Sequence, residues 1–483
     1  MMAPGTALKI QEDADMKKIL SLILAFLMIL SSSLLFSCGD DVKGEQTDTK
    51  DNNVETDDAE TGDYSPPETD GPAEVFLGKA KFDASAPVFE YEYEAPEDGS
   101  FKICGIDLSE YTITALLPFS KEIQRRVMRS VGEDALAATG IEIRVDVDVN
   151  DNYLETPKAE HEILLGCGYK RDGIPDIDPT ESVYGVTADG TVYFSTFNGS
   201  SYPYLFRLFL EEFMGYDKDS GEKSGGCDIY EFHRTVPDLD LERLEEAGYV
   251  LVCADEFDGD SLNTDLWDYR GMGARSGGYL SASQVSVGDG VLNITAQYLE
   301  DGEFGEGWYS SAVALKQRYC KGYFEARIRV SETQDHDDFW SAFWIQGPDP
   351  YNGEKSRGGA GPGGAELDIM ENKGPSSTSC NIWVSGYDGE EGLEDDLLIL
   401  DDFAEDFSTE FHTYSLLWDE DFYRIYVDGK LISSSAFGYG TSPAEEQVIL
   451  SLEPPPEFDI PADTVRTMTV DYVKVWQVQF FPE

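Results

Sequence analysis

Glu366-Leu367-Asp368-Ile369-Met370-Glu371 carries carboxyl groups at the first, third and sixth of six positions, with apolar residues between them. Such alternation marks a strand with one wet face and one buried face. Glu366 and Asp368 then share a side, and Leu367 and Ile369 take the other. Strict alternation would send Glu371 to the Leu367 side. One extra residue in a β-bulge, at Ile369 or Met370, returns it to the acidic side, because a bulge sets two residues opposite one. Like charges so placed favour mixed protonation, one carboxyl keeping its proton while another is ionised. Glycosidic bond cleavage uses such a pair, a carboxylate and a carboxylic acid flanking the bond. In an acid-rich chain the same pattern also arises as the polar outer face of an ordinary strand, so the rest of the sequence must separate the two.

The chain has 483 residues, enough for two or three domains. Hydrophobic residues make up 41%, and the formal net charge is −60, from 95 acidic and 35 basic residues. Nucleic acid is excluded as a partner, since its phosphates would be repelled. The charge suits a soluble protein working outside the cell on a neutral polymer, and a monomer is expected. Met16-Lys17-Lys18 precedes an apolar run from Ile19 to Leu35, which ends in Phe36-Ser37-Cys38-Gly39. A basic start, an apolar stretch and a small residue before the cut make a secretory signal. With cysteine next, the segment resembles a bacterial lipoprotein signal, although Phe36 is bulkier than usual; a plain transmembrane anchor is the alternative. The resemblance implies a signal over residues 1–38, with Cys38 lipidated as the mature amino terminus; the acidic residues upstream of the basic pair make Met16 the expected true start. It places the protein on the outer face of a bacterial membrane. Residues 39–75 are nearly free of apolar side chains and are expected to be a disordered acidic tether.

Residues 76–238 are expected to form a small α/β domain. Strands are expected at Tyr111 to Leu117, Ile141 to Val147 and Glu162 to Gly166. A hairpin should turn at Asp189-Gly190, and helices should span Lys121 to Thr139 and Tyr204 to Met214. Thr139-Gly140-Ile141-Glu142-Ile143, Glu162-Ile163-Leu164-Leu165-Gly166 and Leu210-Glu211-Glu212-Phe213-Met214-Gly215 follow in an order similar to the small domain before the barrel of hexosaminidases and alpha-glucuronidases. No barrel follows here, so a spacer or docking module is expected. The six cysteines after Cys38 form no close metal-type spacing and are expected to be mostly buried free thiols, with disulfides the alternative.

Residues 248–480 read as nearly all β, with short strands separated by turns such as Asp289-Gly290 and Asp428-Gly429. That pattern fits a sandwich or barrel. The region resembles glycoside hydrolase family 16. The likeness runs through Asp255-Glu256-Phe257-Asp258-Gly259, Gly322-Tyr323-Phe324-Glu325-Ala326-Arg327, Phe339-Trp340-Ser341-Ala342-Phe343-Trp344, the Glu366–Glu371 stretch and Asp471-Tyr472-Val473-Lys474-Val475. It implies a multidomain chain whose carboxy-terminal part is an all-β, concanavalin-like jelly-roll sandwich. It also implies that Glu366 is the nucleophile, Glu371 the general acid/base and Asp368 the residue that tunes the nucleophile. Retention of configuration needs the two carboxyls about 5–5.5 Å apart. Trp340 and Trp344 share a strand face and are expected to border the cut, with Trp383 and Trp308 as weaker sugar platforms. The chemistry requires no cofactor; one structural calcium, near Glu256 and Asp471, is a further expectation of the resemblance.

There are departures. The segment Asn381-Ile382-Trp383-Val384 lacks the histidine many relatives carry, Gln284 stands where asparagine is common, and the insert from Tyr351 to Gly364 is long and glycine-rich. The expected activity is endo-acting hydrolysis of β-1,3 or mixed β-1,3/1,4 glucan. The alternatives are a non-catalytic glycan-binding lipoprotein, a hydrolase of another β-linked polysaccharide such as a galactan, or a transglycosylase.

Overall fold

The computed structural model describes residues 78–88, 96–117, 121–146, 155–166, 171–217, 220–335, 337–348, 364–384, 397–399, 406–435 and 441–478. All of them belong to one compact unit, Ala73–Glu483. Cys38, the acidic stretch and all of the 351–364 insert but Gly364 lie outside the described residues.

Among the described residues, two sheets stack face to face. The seven-stranded sheet runs in the order Trp267–Tyr269, Ala312–Tyr319, Glu446–Glu453, Trp340–Gln346, Ala365–Gly374, Ser377–Val384 and Leu397–Ile399. The eleven-stranded sheet is centred on the long strand Val465–Val478, which pairs with Val291–Gly302 and Gly322–Arg329. Alternation drives the stacking. Phe343, Ile345, Leu367 and Ile369 from one sheet meet Phe324, Leu416, Ile425 and Val475 from the other in one buried cluster. This is a β-sandwich, with period-two strands burying one side each.

Part of the eleven-stranded sheet is buried on its second side as well. Tyr323, Leu417, Tyr426, Leu431 and Trp476 join a separate core with residues of the α/β region. The strand Tyr423–Val427 is buried at every position, as expected of a sheet covered on both faces.

That cover is a sheet, six-stranded among the described residues, in the order Arg144–Val145, Thr112–Ala115, Glu162–Leu165, Val192–Ser195, Val183–Val186 and Phe232–Thr235. Its helices are Lys121–Thr139 and Tyr202–Met214. The first stops at Gly140, whose φ of 73° is the left-handed conformation glycine adopts freely. The second starts two residues before the sequence expectation, with Pro203 in its first turn. The expected strand from Ile141 to Val147 contracts to Arg144–Val145, which pairs with Thr112–Ile113 at the sheet edge.

The two regions share more than apolar contact. Arg424 is buried and donates to Asp83 Oδ2 at 2.6 Å, to Ser85 Oγ at 3.0 Å and to Asp419. Its guanidinium lies over the Tyr204 ring at 5.1 Å. Burial works to raise the Asp83 carboxyl, but Arg424 and the hydrogen bonds from Ser85 outweigh it and hold the group below its ordinary range. The backbone continues the seam, Leu239 N–H donating to the Gly429 carbonyl at 2.7 Å. The α/β region is therefore the packed wall of the sandwich rather than a spacer hanging from it. Cys104, Cys227, Cys253, Cys320 and Cys380 are all free thiols.

Candidate active site

Strand Trp340–Gln346 is the scaffold of the site. It is flanked by Ala365–Gly374 on one side and Glu446–Glu453 on the other, both antiparallel. Ser341, Phe343 and Ile345 point inward, so Trp340, Ala342, Trp344 and Gln346 line the outer face. The register sets Gln346 opposite Glu366, Trp344 opposite Asp368, Phe343 opposite Met370 and Ala342 opposite Glu371. Ile369 has no opposite number, and the register shifts there. Ile369 and Met370 both enter the inner core. This bulge carries Glu371 to the same face as Glu366 and Asp368. A strand without it would have buried Glu371 among Phe343 and Leu367, at the cost of an unpaired charge.

Glu366 and Asp368 are nearly buried, at 7% and 6% exposure. Glu366 Oε2 accepts from Gln346 Nε2 at 2.5 Å. Glu371 is more open. Its Oε1 accepts from Trp340 Nε1 at 2.9 Å, and its Oε2 from Lys373 Nζ at 3.2 Å. Lys373 also lies over the Trp340 ring at 5.3 Å. Both donors suit an ionised carboxylate.

The three carboxyl residues thus lie on adjacent positions of one face, and Trp340 joins them directly. Trp344 is placed differently from the sequence expectation. It shares the face but is only 8% exposed, its Nε1 donates to Ser451 Oγ at 3.0 Å, and Arg270 covers its ring at 5.0 Å. It is a packed support rather than an open sugar platform. Trp308 is likewise buried, against Phe339 and Phe458. The Trp383 backbone pairs with Glu366, but its side chain lies outside the described residues.

Both residues of the calcium expectation sit in ion pairs. Glu256 pairs with Lys474 at 2.7 Å, and Asp471 pairs with Arg327. Each carboxylate has its own cation, and among the described residues no group of three or more His, Cys, Asp or Glu could hold a metal ion. Sequence reasoning missed Gln346, Arg270 and Lys373. Gln346 was legible in principle, as a polar residue ending the apolar alternation of its strand. Arg270 comes from a distant loop and was not.

Comparison with known proteins places residues 250–478 against the family described as beta-porphyranase A-D, GH16 domain. The beta-glucanase of Rhodothermus marinus is 31% identical over 208 residues, covering 40% of this chain and 68% of that protein. The glucan endo-1,3-beta-glucosidase A1 of Niallia circulans is 28% identical over 275 residues, covering 48% of this chain and 38% of that protein. The chain therefore spans well under half the length of the latter. Among solved structures, the laminarinase catalytic domain from Thermotoga maritima MSB8 aligns at 23% identity with a TM-score of 0.39, covering 47% of this chain and 98% of that one.

Proposed function

The chain belongs to glycoside hydrolase family 16, and from that premise we propose that it is a retaining endo-β-glucanase acting on β-1,3 or mixed β-1,3/1,4 glucans. The observation that carries the reading is the Ile369 bulge, which assembles Glu366, Asp368 and Glu371 on one outer face. In the first step a Glu366 oxygen bonds to the anomeric carbon as the glycosidic C–O bond breaks. The leaving oxygen takes its proton from Glu371. In the second, Glu371 removes a proton from water, which attacks the same carbon and releases Glu366. Asp368 lies between them and steadies the nucleophile. These carboxyls supply nucleophile and proton alike, so the reaction calls for no cofactor. Trp340, half-buried beside Glu371, serves as the sugar platform once Lys373, which lies over its ring, gives way to the sugar.

The glucan preference rests on the names of the relatives, a beta-glucanase and a glucan endo-1,3-beta-glucosidase. A β-linked galactan is the second reading, favoured by the porphyranase description matched over residues 250–478. In the same reading Cys38 bears the lipid, and residues 39–75 hold the monomeric enzyme off the extracellular face of the cell membrane. The test is a panel of β-1,3, mixed-linkage and galactan polymers incubated with the protein and with Glu366→Gln. New reducing ends from the wild type alone support hydrolysis and name the polymer. Binding without release by a folded sample overturns it in favour of a glycan-binding protein. Longer transfer products, in place of reducing ends, identify a transglycosylase.

A further inference from the structure

A line of side chains runs across the seven-stranded sheet and ends on Glu366. Gln447, Gln346 and Glu366 stand abreast on three neighbouring strands. Gln447 Nε2 donates to the Leu315 carbonyl at 3.0 Å, which anchors the far end. Arg270 bridges the two amides, Nη1 donating to Gln447 Oε1 at 2.8 Å and Nη2 donating to Gln346 Oε1. Gln346 Nε2 then donates to Glu366 Oε2.

The direction of this line follows from chemistry. A guanidinium offers only donors and keeps its charge at any working pH. The end of the Gln346 amide that meets Arg270 must therefore be the oxygen. Its NH₂ is left to face Glu366, so an amide whose two ends are otherwise interchangeable becomes a one-way donor. The Glu366 oxygen it meets can only be an acceptor. Both partners are more than nine-tenths buried, so water competes poorly for the bond.

We propose that Gln346 is a positioning residue for the nucleophile, with Arg270 as the lock on its orientation. The amide grips one carboxylate oxygen of Glu366 and so fixes the plane in which the other meets the anomeric carbon. An arginine bound directly to Glu366 would fix that plane too, but would neutralise the charge that must attack. Spacing the cation one amide away keeps the orientation and spares the charge. This assignment rests on the reading of Glu366 as nucleophile.

The test uses the full chain and the polymer of the panel that the wild type cuts fastest. Gln346→Met keeps the size and removes the donor; Gln346→Glu keeps the Arg270 contact but offers no NH₂. In both, kcat should fall about tenfold or more, the scale of one hydrogen bond to a charged group, while KM stays within about twofold. Arg270→Met should also lower kcat, and the double variant Arg270→Met/Gln346→Met should be no slower than Gln346→Met alone, because Arg270 acts through Gln346. Circular dichroism and Tm confirm that each variant is folded. If Gln346→Glu, folded, retains the wild-type kcat, or if the Arg270 and Gln346 effects multiply, the assignment is overturned. If the wild type cuts and Glu366→Gln does not, that failure belongs to Gln346 alone. If the wild type cuts nothing, the hydrolase reading fails and takes this assignment with it.

Discussion

The seven-stranded sheet turns Trp340, Gln346, Glu366, Asp368 and Glu371 outward, whereas the eleven-stranded sheet turns out Tyr323, Leu417, Tyr426, Leu431 and Trp476. Their strands have the same period and share one inner core. Only the apolar outer face needs a cover, and the α/β region supplies it. Each outer face also carries an arginine in a polar network. Arg424 meets two carboxylates, Asp83 and Asp419, and both charges are spent on the seam. Arg270 meets two amides, and the carboxylate beyond them keeps its charge. The difference separates an arginine that holds a fold together from one that arranges a reactive group.

Substitutions can break this contrast at either face. Glu366→Gln should lower turnover at least about 10⁴-fold, as loss of a nucleophile does, with thermal unfolding unchanged within error. Arg424→Ala should do the reverse. It leaves Asp83 and Asp419 without their cation and should cost about 3–5 kcal/mol of stability, measured by denaturant unfolding. The activity of the molecules that remain folded should be unaltered. A chain in which Arg424→Ala lost activity without losing stability would show that the seam reaches the site. Trp340→Phe keeps the ring but removes the donor to Glu371, and kcat should drop about tenfold.

The smallest effect sharpens the contrast by pH. Glu446 lies fully buried beside the start of the strand Ala365–Gly374, where Ala365 N–H donates to its Oε1 at 2.7 Å. Burial, opposed by that bond and by Ser442, pushes its carboxyl from 4.5 up to about 8. The folded protein thus keeps a proton that the unfolded chain has lost. Stability from this group falls as pH rises from about 4.5 to about 8, and is flat above. Glu446→Gln keeps the acceptor for Ala365. Its Tm advantage over the wild type should grow by a few degrees across that window and then stay level. An advantage independent of pH would mean that Glu446 is ionised in the fold.

Much of this was legible in the sequence. The acidic strand, its need for a bulge, the helix Lys121–Thr139 and the all-β character of residues 248–480 follow from periodicity and from local backbone rules. The run Tyr423-Arg424-Ile425-Tyr426-Val427 also announced a strand, but not that both of its faces are covered. Trp344 was misjudged for a related reason. Spacing tells which face a tryptophan is on, but not whether another side chain lies over it.

The sequence by itself determined which residues could do chemistry and that Glu366 and Asp368 share a strand face, because side-chain direction along a regular strand is a local property of the chain. Only the tertiary structure decided that Ile369, rather than Met370, is the extra residue, since that depends on pairing with Phe343 and Trp344. Only the tertiary structure brought Arg270 to Gln346, 76 positions away, and Arg424 to Asp83, 341 positions away. Contacts of that range are set by how whole sheets pack, and no local pattern in the chain encodes them.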